Sequence, residues 1–225
     1  MNQESKLRYV LVELGYHLPY SIFGITVGLI AMGILSFFAI LMSAESLLPT
    51  ASAELFHVFH PAHVLISAVA TTAMFWKHEK RILKAAVVGL VGSVTICAIS
   101  DIFLPIIGGS FLGSKMLVHI CILEEPGLVF PFAVIGVVAG LLITKSFEKS
   151  TQYSHSAHVF VSSAASILYL LGFGLTDWIH SIGAVFLVII VAVMIPCCAS
   201  DIVFPLACVH RDCDHSDELT HGHQH

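Results

Sequence analysis

Charge is what this chain has least of. Asp, Glu, Lys and Arg make up 11% of its 225 residues, against about 25% in ordinary soluble domains. With 57% hydrophobic residues and a mean hydropathy of +0.92, that scarcity excludes a soluble globule of this size. Long polar connections are lacking too, which leaves no room for a separate soluble domain. No small-residue cleavage site follows the first apolar stretch, which is too long for a signal-peptide core, so it is expected to stay as a helix. The six cysteines offer no disulfide framework. Cys197, Cys198, Cys208 and Cys213 fall where thiols are expected to stay reduced, and nothing pairs Cys97 with Cys121.

What is present is apolar sequence in membrane-sized lengths. Stretches of roughly 20 apolar residues are read as spanning helices, and six are expected here: 18–43, 58–76, 82–107, 127–146, 156–174 and 178–206. Positive charge then sets the orientation. With the N-terminus inside, Lys6, Arg8, Lys77, Lys80, Arg81, Lys84, Lys145, Lys149 and Arg211 share the inner side, and only Lys115 lies outside. Both termini are therefore expected in the cytoplasm, in a plasma or inner membrane.

The chain also repeats itself. Glu13-Leu14-Gly15 with Pro19 and Gly24 returns as Glu125-Pro126-Gly127 with Pro131 and Gly136. His60-Pro61-Ala62-His63-Val64 returns as His155-Ser156-Ala157-His158-Val159, and Ser100-Asp101-Ile102 with Pro105 as Ser200-Asp201-Ile202 with Pro205. Three spans per repeat is an odd number, so the second repeat enters the membrane from the opposite side. The expected fold is all-α, six transmembrane helices in a 3+3 inverted-topology repeat, N-in and C-in. Residues 1–17 form a stub, 18–116 and 117–209 the two repeats, and 210–225 a His/Cys/Asp-rich cytoplasmic tail. Gly24 and Gly28, matched by Gly136 and Gly140, read as close helix-packing contacts.

The duplicated residues are mostly ones that are expensive in lipid. His60, His63 and Ser67 share one helical face, as do His155, His158 and Ser162. Two imidazoles one turn apart can hold a metal ion. Asp101 and Asp201 each precede a proline by four residues, so the proline frees the aspartate's own carbonyl. Cys97 and Cys197 lie four residues before those aspartates and are secondary candidates, with Ser67 and Ser162. Glu13 and Glu125 sit ahead of spans one and four, where they equally suit a helix N-terminus. Topology distributes these groups into one Glu-His-His-Asp set per face: Glu125, His60, His63 and Asp101 outside, and Glu13, His155, His158 and Asp201 inside. The sets form either two peripheral sites or one convergence at mid-membrane.

Imidazole with carboxylate suits divalent transition ions, zinc foremost, and also manganese, iron, cobalt and nickel. The tail adds His210, Cys213 and His215 as loose ligands. The function expected is transport of such an ion by alternating access, compatible with proton coupling because the ligands must lose protons to bind. The expected partners are the ion as substrate and the lipid bilayer, with no nucleic acid and with a homo-oligomer left open. The alternative is an intramembrane metal-dependent lipid hydrolase, although a catalytic site needs only one asymmetric set. Haem is disfavoured, because histidines three apart lie on one side of a helix.

Overall fold

The computed structural model describes the backbone of residues 3–143 and 151–198, with side chains for residues 15, 18–143 and 157–196. The described residues contain helices and no strand. In chain order these are α1 (Gln3–Leu41), α2 (Leu48–His78), α3 (Ile82–Ala98), α4 (Leu104–Phe111), α5 (Cys121–Glu124), α6 (Pro126–Leu142), α7 (Thr151–Gly172) and α8 (Ile182–Cys198). A 3-10 turn, Glu45–Leu47, precedes α2, and a π-turn, Ile99–Phe103, joins α3 to α4 into one rod. Three helical stretches are long and apolar enough to cross a membrane: Leu18–Leu41, Glu45–His78 and Ile82–Phe111. Pro126–Leu142, Ala157–Gly172 and Ile182–Pro196 are shorter apolar helices. Phe23, Phe37, Leu41 and Val87 are among many large apolar side chains left more than half exposed. Apolar surface on that scale suits association with a membrane.

Helix α2 starts ten residues earlier than the apolar run at 58–76 suggests. Pro49 sits in its first turn, where a missing N–H is harmless. Thr50, Ser52 and Glu54 dilute the hydropathy there without breaking the helix. The consequence matters for the site. His60 and His63 do not open the helix but lie twelve and fifteen residues into it, about 18 to 23 Å from its start at 1.5 Å per residue.

Helix α1 packs on α7 and α6 packs on α2, while α2 and α7 pack on each other. Glycines set the two lateral contacts. A β-carbon on Gly24 would meet Val159 at 3.2 Å, and one on Gly28 would meet Ile167 at 3.4 Å. On the other side the fit is tighter: at Gly136 it would lie 2.5 Å from the Leu65 carbonyl oxygen, and at Gly140 2.7 Å from that of Val69. Backbone cannot yield as a side-chain tip can. Gly136→Ala is therefore expected to destabilise the protein by about 1–3 kcal/mol through overpacking, whereas Gly28→Ala is tolerated. Thermal unfolding in detergent measures both, and equal midpoints would contradict this α2–α6 contact.

The connections gather at opposite ends. Leu117 donates its N–H to Phe173 O at 2.7 Å, and Gly174 abuts Lys115, so the 112–120 and 173–181 connections share one end with the start of α2. Glu54, Asp177 and Lys115 lie on these segments, and Glu124 and Glu125 follow in and after α5. Lys84 pairs with Glu79 at 2.9 Å near the α2–α3 connection.

Candidate functional site

The site grows from an interruption in a helix. Pro105 has no N–H to give the Asp101 carbonyl, four residues earlier. The chain adapts with the π-turn at Ile99–Phe103, in which the Leu104 N–H reaches back five residues to Ile99 O. That bond leaves Ser100 O without its ordinary helical donor. Ser166 Oγ, from α7, donates to it at 3.2 Å. The interruption thus ties α3 to α7 and holds Asp101, fully buried, at the junction.

Three helices converge on that carboxylate. The Nδ1 atoms of His60 and His63 both lie on Asp101 Oδ2, at 2.8 and 2.7 Å. Ser162 Oγ donates to Oδ1 at 3.3 Å, and it shares a 2.9 Å hydrogen bond with Ser100 Oγ. With its Nδ1–H given to the carboxylate, His63 turns its Nε2 to His158 Nε2 at 2.8 Å. His63 and His158 are 1% exposed and His60 2%. The result is a line, His60–Asp101–His63–His158, closed off from outside. His57, Ser67 and Thr71 continue the polar stripe of α2 on either side, so polar groups follow its length from 57 to 71, about 21 Å.

Several expected placements change. Of the two arrangements open in the sequence, His158 and Ser162 take the convergent one, joining Asp101 in one cluster with His60 and His63. The reason is the α2–α7 contact, which turns the two histidine stripes toward each other. Ser67 is buried on the α2 stripe. Cys97 lies in the apolar core. Glu125 is exposed at the start of α6 and makes no side-chain cap there. Its neighbour Glu124 is the engaged carboxylate. The side chains of Glu13, His155 and Cys197, and the whole of Asp201, His210, Cys213 and His215, lie outside the described residues.

A second cluster escaped the sequence reading. His57 Nε2 is 2.9 Å from His119 Nε2, and Cys121 Sγ is 3.5 Å from the same nitrogen. Among the described residues, this is the His/Cys/Asp/Glu set whose ligand atoms converge, all within 4.8 Å of one another. Glu124 Oε2 accepts from His119 Nδ1 at 2.8 Å, and Glu124 Oε1 accepts from the Ile120 N–H at 3.0 Å. That backbone bond, with His119, holds the Glu124 carboxyl below its usual range. Phe173 stacks on the His119 ring at 5.0 Å, and Tyr169 Oη accepts from the His119 N–H at 3.0 Å. Burial and the charges of Glu125 and Glu124 push the Cys121 thiol up to about 12. The spacing H-x-x-H-x-x-H at 57, 60 and 63, with His119-x-Cys121, was the signal available for this cluster. No family model, curated protein or solved structure matches the chain.

Proposed function

We propose that this chain is a six-span, 3+3 inverted-repeat membrane protein that moves a divalent transition-metal ion, with both termini on the cytoplasmic side. One observation carries the reading: His63 and His158, equivalent residues of the two repeats, meet at 2.8 Å beside a fully buried Asp101. A carboxylate and three imidazoles inside an apolar bundle are functional groups by default, because their burial is costly and nothing in packing requires it. The helix pairs support the repeat, since exchanging α1 with α6 and α2 with α7 maps the observed contacts onto one another.

The geometry also suggests how binding couples to motion. Zinc–imidazole bonds of about 2.0–2.1 Å hold two ligand nitrogens more than about 3 Å apart at a tetrahedral ion. An ion that replaces the hydrogen shared by His63 and His158 therefore pushes α2 and α7 apart. Asp101 stays on the far side of His63, where it fixes the ring and raises its basicity. The displaced protons provide a means of coupling. Ions that favour oxygen ligands alone, such as magnesium and calcium, suit this site poorly.

Two measurements test the reading. Single cysteines placed within 44–57 and 172–177 should label from outside the cell, and labelling from the cytoplasm refutes the topology. Elemental analysis of the purified protein should find a transition metal whose amount falls on replacing His63 or His158. A metal content unchanged by those replacements counts against the central site.

A further inference from the structure

We propose that His57, His119 and Cys121 form a separate capture site for a thiophilic divalent cation of the zinc class, at the end of the bundle where α2 begins. The donor set is two imidazoles and one thiolate, with the fourth position open to water or to the next ligand. Soft sulfur with imidazole selects zinc or cobalt over magnesium, calcium and manganese. The cluster is built, not accidental. Glu124 holds the far nitrogen of His119, the orienting contact that metal-ligating histidines habitually have. Phe173 fixes the ring plane, and Tyr169 anchors the backbone on both sides of it, through the N–H and the carbonyl of His119. Cys121 is wholly buried, and the two histidines are partly open.

Position gives the site its purpose. His57 precedes His60 by one turn of α2, about 5 Å along the axis, and Phe56 stacks on the His60 ring at 5.2 Å. An ion held at His57 lies one helical turn from His60. The surrounding acidic residues, Glu54, Glu124 and Glu125, concentrate cations at this end. The site stands on its own geometry and does not require the central cluster to bind metal.

Cobalt titration of the full-length protein in detergent tests it. Cys121 ligation predicts a thiolate-to-cobalt charge-transfer absorption that is present in the wild type and in Asp101→Asn, and missing in Cys121→Ser and His57→Asn. Subtracting the Cys121→Ser spectrum removes cobalt held elsewhere on the chain, and unchanged elution on size exclusion establishes that each variant is folded. Glu124→Gln should keep the absorption but weaken cobalt binding about 10–100-fold. Identical spectra for wild type and Cys121→Ser would overturn the site. Loss of the absorption in Asp101→Asn as well as in Cys121→Ser would overturn its independence. Loss of flux in Asp101→Asn with the absorption retained supports both sites.

Discussion

Alanine at either His63 or His158 is expected to abolish metal flux in proteoliposomes, and the double variant to be no worse than either single one. The two rings meet Nε2 to Nε2 at 2.8 Å, so removing either one breaks the contact between them. Residues in contact within one network are non-additive by about 0.5–3 kcal/mol. A double-mutant cycle on metal affinity, which stays measurable where flux is zero, therefore tests whether the two histidines share one ion. Effects that simply add would separate the two histidines functionally. Full activity in either single variant would remove that histidine from the path.

Asp101 should give the second large effect. Asp101→Asn keeps the shape and one acceptor but removes the charge that orients His60 and His63 and compensates a cation. A flux reduction of about 100-fold is expected, at the upper end for loss of an orienting carboxylate. Asp101→Ala goes further, since it leaves two buried imidazole N–H groups without their acceptor. That adds about 1–3 kcal/mol of destabilisation per group, readable as a lower unfolding midpoint. Asp101→Asn with normal flux would reduce Asp101 to a structural hydrogen-bond acceptor.

Much of this was legible because the chain repeats its chemistry. A single H-x-x-H says little, but His60 and His63 with His155 and His158, in step with Asp101 and Asp201, form a repeated set, of which the fold gathers His60, His63, Asp101 and His158 among the described residues. Pro105 announced a freed carbonyl at Asp101, and the π-turn is how the helix absorbs it. What hydropathy conceals is depth: Thr50, Ser52 and Glu54 lower the hydropathy of the first turns of α2, so the apolar run alone places His60 and His63 near a helix start. Facing was hidden as well. Period and spacing put His63 and His158 on stripes of their own helices, but only α2–α7 packing decides that the stripes meet. His119 sits in a connection without periodicity, held by Tyr169 fifty residues away, and no local pattern reports such a contact.

Flux through the intact protein tests the central claim most directly. Purified full-length protein in sealed proteoliposomes, loaded with a metal-sensitive dye, should admit at least one of zinc, manganese, iron, cobalt or nickel. Asp101→Asn, inserted to the same level, should admit about 100-fold less, and removing residues 210–225 should change the dependence on cytoplasmic metal while leaving movement intact. No flux of any of the five ions through the intact protein, together with hydrolysis of a membrane lipid that is lost on mutating one histidine pair alone, would contradict transport and point to an intramembrane metallohydrolase.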